Sequence, residues 1–132
     1  MLAAEAMTEL AGRNASRASV LVACLCAQWC RTCDGYREVF EQAVSALRDA
    51  GVEGMWVDVE DQAEALGAVD VENFPTLLIA RGDEVVFFGP VMPHASTLTR
   101  MLGAALDDQL SAGPAAMDAS VLELPQRLRR LR

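Results

Sequence analysis

Residues 19–26 read SVLVACLC, an almost unbroken apolar run with two valines near its start. A run of strand length without polar alternation predicts a strand buried on both faces, as in a parallel sheet. From residue 34 the period changes. Tyr36, Val39, Phe40, Ala43, Val44 and Leu47 recur at spacings of three and four, which predicts an amphipathic helix with one apolar face. Gly51 lies just beyond its end, where a glycine commonly closes a helix. Residues 55–59 predict a second strand, and residues 61–66 a short helix stopped by Gly67. The apolar runs 76–80 and 84–88 are joined by Arg81-Gly82-Asp83, a loop length and glycine content that suit a hairpin. Leu98, Met101, Leu102, Ala105 and Leu106 mark a last core helix opening near Ser96, while Leu2, Ala6, Met7 and Leu10 mark a short N-terminal one ended by Gly12.

The resulting order is helix, strand, helix, strand, helix, hairpin, helix. Strand-helix alternation implies parallel pairing with right-handed crossovers, and the hairpin adds antiparallel strands. The expected class is therefore α/β, a central mixed β-sheet flanked by helices. A length of 132 residues fits one domain with one core. Its limits are expected at residues 1–110, because Ser111-Ala112-Gly113-Pro114 has the composition of a linker. Residues 111–132 form a C-terminal extension ending in DASVLELPQRLRRLR. Val121, Leu122, Leu124, Leu128 and Leu131 make it too apolar for a purely solvated tail. It packs on its own acidic domain or that of a twin, or else docks a partner or an anionic surface. The first is favoured because the domain itself supplies the opposite charge.

That charge is uneven. The net value is −8, with eleven basic residues, all arginine, and nineteen acids. Such a balance argues against nucleic acid as the main partner. No stretch approaches the ~18–20 apolar residues that span a bilayer. Glu5, Glu9, Arg13, Asn14 and Arg17 interrupt any early apolar segment, so a signal peptide is not expected. The expected compartment is the cytoplasm, where paired cysteines are more often catalytic or metal-binding than structural.

All four cysteines fall within CLCAQWCRTC, between positions 24 and 33. Cys30 and Cys33 sit where the apolar strand ends and the amphipathic helix begins. Unpaired N–H groups at a helix start stabilise a thiolate, and two intervening residues place both sulfurs within one turn. Cys30 is thus assigned as the attacking thiolate and Cys33 as the resolving thiol. Cys24 and Cys26 alternate onto one face of the strand, where burial as small hydrophobes is the favoured reading. A metal nest from all four is disfavoured, since a regular buried strand does not easily turn its sulfurs toward a metal at the helix start. His94 stands alone in a Pro-rich turn, and no metal site is assigned.

With Trp29 directly before Cys30, Phe74-Pro75-Thr76 before the hairpin and Gly89 before the last helix, the chain resembles the thioredoxin family over about residues 20–106. The resemblance implies a thioredoxin-like fold and a cis peptide bond at Pro75. It also implies a substrate-docking surface of Trp29, Arg31, Thr32, Phe74 and Pro75 around catalytic Cys30 and Cys33. Three departures stand out. The buried aspartate common in the family is replaced by Cys24, and the lysine common beside it falls on or near Gly54. The usual Gly-Pro between the cysteines is Arg31-Thr32, and Glu38 stands where the helix commonly has a proline. Asp58 or Glu60 at the end of the second strand are candidate stand-ins for the missing acid. The expected function is thiol-disulfide exchange with protein substrates, with no cofactor and an external reductant. The alternative is a thioredoxin-like binding module whose cysteines are incidental.

Overall fold

The central strand explains its own sequence. In the computed structural model, which describes residues 19–107, 109 and 119–131, strand β1 spans Val20–Cys26. The helix expected over residues 2–10 and the linker at 111–114 lie outside the described residues. β1 pairs in parallel with β2 (Val52–Asp58) on one edge and antiparallel with β3 (Thr76–Arg81) on the other. With neighbours on both edges and layers on both faces, all seven of its residues are buried, and only an uninterrupted apolar run satisfies that. β3 turns into the antiparallel β4 (Glu84–Pro90) through a hairpin with Gly82 at φ 58°, a left-handed conformation that favours glycine. The sheet order is β2-β1-β3-β4.

Helix α1 (Arg31–Ala46) follows β1 and buries Cys33, Tyr36, Phe40 and Val44, the expected apolar face. A single 3₁₀ turn, Arg48–Ala50, separates it from β2, and Gly51 at φ 106° closes that turn. β2 starts three residues earlier than its apolar pattern predicts, because Glu53 and Gly54 interrupt the signal. Gly54 has a packing reason. A Cβ there would lie 2.8 Å from a methyl of Val44, so the missing side chain lets β2 approach α1. The early start also corrects the expected register: Gly54 pairs with Val22, and the residue opposite Cys24 is Trp56. Trp56 takes Phe40 edge-on at 5.6 Å and Arg37 over its face at 5.3 Å.

Two helices complete the main body, the short α2 (Ala63–Leu66) and the twelve-residue α3 (Ala95–Leu106). α1 and α3 cover one face of the sheet, where Val20, Val22, Cys24 and Cys26 from β1 meet Leu98, Leu102 and Ala105 from α3. The other face carries Ala23, Leu25, Val57, Leu78 and Val85, and it is covered in part by the tail. The tail forms α4 (Ala119–Leu122) and α5 (Leu124–Arg129), inserting Val121, Leu124 and Leu128 into that cluster. Leu124 and Leu128 are fully buried. Arg129 donates to Asp83 at 2.7 Å in the β3–β4 hairpin, although a bridge with so exposed an acid adds little beside the leucines. Of the roles weighed for the tail, packing on its own domain is the one residues 119–131 display.

Candidate redox site

Cys30 is the N-cap of α1, with an extended backbone (φ −85°, ψ 114°). Its carbonyl accepts the first helical hydrogen bond from the Asp34 N–H at 3.2 Å. Its thiol is free and half-buried. The first turn of the helix thus holds a half-buried cysteine beside backbone N–H groups that lack intrahelical partners. Trp29, 67 % exposed, projects next to it and packs edge-on against Phe74 at 5.5 Å. The Phe74–Pro75 peptide is cis, as the resemblance implied. Thr76 donates its hydroxyl to the Asn73 carbonyl at 2.6 Å, and the Pro75 carbonyl accepts from the Val91 N–H at 3.1 Å. Exposed Trp29 and half-buried Phe74 therefore share one surface patch where β1 ends and β3 begins, with the cis-Pro75 buried beneath it, and Arg31 and Thr32 open α1 with exposed side chains.

Cys33 is where the structure departs from expectation. It is bonded to Cys26, with the two Cα atoms 6.0 Å apart, and Cys30 is left as a thiol. The reading of Cys26 as an inert packed hydrophobe is thereby corrected. The reason is positional. Cys26 is the last residue of β1 and points to the α1 face, while Cys33 points from the first turn of α1 back to the sheet. The end of the strand and the start of the helix bring the two sulfurs to the same level. Cys24, two residues earlier on the same face, has its sulfur 3.6 Å from that of Cys26. Its thiol is pushed well above the ordinary range by burial, so it is a neutral S–H at pH 7. The Tyr36 phenol is raised by burial first and by the neighbouring Cys24 second. Its hydroxyl is buried without a hydrogen-bond partner among the described residues.

The carboxylates proposed to replace the missing acid separate on inspection. Asp58 pairs with Cys26 in the sheet register and lines a cleft of about 330 Å³ together with Cys33, Asp34, Arg37 and Trp56. One of its oxygens already accepts the N–H groups of Glu60 and Asp61, each at 2.9 Å. Glu60 is exposed and does not line this cleft. His94 is the exposed N-cap of α3 and makes no side-chain capping bond. Among the described residues, no group of three or more His, Cys, Asp or Glu is arranged to hold a metal ion. None of their helices is long and apolar enough to cross a membrane. Sequence reasoning missed Cys26 as the partner of Cys33: strand alternation places it on the helix face, but how far the strand end reaches under the helix start is not contained in the spacing.

A cysteine pair spaced C-x-x-C at the start of a helix, next to a buried strand and a cis-proline, defines the thiol-disulfide exchange class built on the thioredoxin fold. The sequence pattern of the thioredoxin family matches residues 8–96, and the chain belongs to that family. It is 37 % identical over 79 residues to a Streptomyces coelicolor protein provisionally named thioredoxin 2, a match covering 60 % of this chain and 58 % of that relative's length. Among solved structures, it superimposes on Fasciola hepatica thioredoxin with a TM-score of 0.60 at 22 % identity, covering 77 % of this chain and 93 % of that one. Against the germline-specific thioredoxin Deadhead of Drosophila melanogaster the TM-score is 0.58 at 18 % identity, with coverage of 74 % and 91 %. The fold is the thioredoxin fold, with a mixed four-stranded sheet flanked by helices. Family and disulfide together support thiol-disulfide oxidoreductase chemistry in general terms.

Proposed function

We propose that the protein exchanges disulfides with protein substrates through Cys30 and Cys33. The observation that carries this reading is the free, surface-reaching Cys30 at the N-cap of α1, flanked by exposed Trp29 on Phe74 and the cis-Pro75. The Cys30 sulfur attacks a substrate disulfide, forming a mixed disulfide and releasing one substrate thiol. Cys33, as a thiol, then attacks Cys30, so that the second substrate thiol leaves and a Cys30–Cys33 bond remains. An external dithiol returns the pair to its reduced form. Trp29 and Phe74 supply an apolar platform for an extended segment around the substrate cysteine, with the buried cis-Pro75 shaping the backbone beneath it and Arg31 and Thr32 at its helix side. The chemistry suits a cytoplasmic setting, where thiols are kept reduced.

The second reading, a binding module with incidental cysteines, draws on the occupation of Cys33 by Cys26. One experiment separates the two. Reduced Cys33→Ser, mixed with a peptide bearing an intermolecular disulfide, is expected to accumulate a mixed disulfide on Cys30, which wild type resolves. Absence of the mixed disulfide in the folded variant would remove the exchange reading and leave the binding one.

A further inference from the structure

We propose that Cys33 exchanges partners between Cys26 and Cys30, making Cys26 a third redox cysteine that stores the disulfide inside the core when the surface pair is idle. This rests on the exchange reading above and adds a sulfur to it. The observations are a bond already formed between Cys26 and Cys33, a free Cys30 on the same helical turn as Cys33, and a fourth sulfur, Cys24, next to Cys26. Cys33 is bonded to one cysteine at the end of the strand and follows another, three residues earlier, at the cap of its own helix.

The step is an isomerisation, with no net oxidation. Cys30, having lost its proton to solvent, attacks the Cys33 sulfur. A Cys30–Cys33 bond forms, the Cys26–Cys33 bond breaks, and the electron pair leaves on Cys26, which takes up a proton. One disulfide exists before the step and one after it, and one thiol proton has moved from Cys30 to Cys26. The obstacle is burial. Cys26 is only 2 % exposed, and an isolated thiolate there would be costly. The surroundings answer this with protonated groups. The Cys24 S–H lies 3.6 Å from the leaving sulfur, and the Tyr36 O–H, which has no hydrogen-bond partner among the described residues, lies near Cys24. A carboxylate at position 24 would repel a Cys26 thiolate, whereas a neutral thiol can donate to it. The departure at Cys24 thus fits a second disulfide position at Cys26.

The two isomers differ in function. With Cys26 bonded to Cys33, Cys30 can enter a mixed disulfide but cannot be resolved by its neighbour. With Cys30 bonded to Cys33, the surface pair can oxidise a dithiol substrate, and Cys26 returns to a buried thiol. The arrangement lets an oxidised molecule hold its disulfide where solvent and substrates do not reach.

The isomers can be counted without any substrate. Trypsin cuts after Arg17, Arg31 and Arg37, leaving Cys24, Cys26 and Cys30 on one peptide and Cys33 on another. The full chain, oxidised and then denatured in acid with N-ethylmaleimide, is digested, and fragmentation shows which thiols were blocked. Both forms are expected, one blocked at Cys30 and one at Cys26. An activated-thiol resin under native conditions removes molecules with free Cys30. The flow-through, left without oxidant or reductant, is expected to regenerate resin-binding molecules. A single isomer, or two that never interconvert, overturns the proposal. The Cys26→Ser variant keeps its failure distinct from failure of the exchange reading: that variant forms Cys30–Cys33 and still exchanges substrate disulfides if only the partner switch is wrong.

Discussion

The two faces of β1 are equally buried and chemically unlike. Toward α1 and α3 the strand presents Val20, Val22, Cys24 and Cys26, and the helix answers with Cys33 and Tyr36. Toward the tail it presents Ala23 and Leu25, answered by Val121, Leu124 and Leu128. One strand thus separates sulfur chemistry from hydrocarbon packing by its period of two residues. Burial alone therefore says nothing about role here. The neighbours decide it, because a sulfur level with the first turn of a helix can bond, while a leucine at the same depth can only fill space.

That contrast can be broken at either face. The largest effect is expected at the surface end of the sulfur face: Cys30→Ser should reduce disulfide exchange to background in a single-turnover assay, with the fold unchanged by circular dichroism. Residual exchange well above background would move the attacking sulfur elsewhere. On the hydrocarbon face, Leu124→Ala should cost about 2–5 kcal/mol, the usual range for a buried leucine, in urea unfolding. The folded variant should exchange disulfides at the wild-type rate, and a stability loss below the range would mean that the tail is not part of the core.

Most of the fold was legible because its signals are local. The unbroken run at 20–26, the three-four spacing through Leu47 and the Arg81-Gly82-Asp83 loop each describe a single element, and the structure has each within a few residues. The start of β2 was illegible because Gly54 serves α1 rather than its own strand. At the site, Trp29, Cys30, Phe74 and Pro75 could be read from the motif. The Cys26–Cys33 bond could not, since it depends on how far the strand end reaches under the helix start, and spacing in the sequence does not contain that distance.

Alkaline pH offers a smaller, graded test of the sulfur face. Burial raises the Cys24 thiol from 9.0 and the Tyr36 phenol from 10.0. The folded state holds both protons at a pH where the unfolded chain releases them, so stability is complete below about pH 8 and falls as pH rises. Each group contributes a slope of up to about 1.4 kcal/mol per pH unit beyond its ordinary value. Urea titrations of the oxidised protein from pH 7 to 11 should show this decline, and Cys24→Ala should delay its onset by roughly one pH unit, to where the tyrosine begins to titrate. A flat profile in wild type would contradict the buried, neutral thiol. The smallest effect is expected from Tyr36→Phe, which removes a hydroxyl with no partner among the described residues. A gain of about 1 kcal/mol fits the cost of an unsatisfied buried group, and a loss of that size would show the hydroxyl to be satisfied.

The most direct test of one reactive surface sulfur backed by three buried ones is a brief alkylation of the fully reduced native protein. Cys30 is half-buried, while Cys24, Cys26 and Cys33 are at most 2 % exposed. A pulse with a small iodoacetamide reagent, quenched in acid and mapped on the two tryptic peptides, is expected to modify Cys30 alone, with the other three labelled only after denaturation. Labelling of Cys24 or Cys26 as fast as Cys30 would contradict the account, because the strand would then not be the closed interior on which the division between its two faces depends.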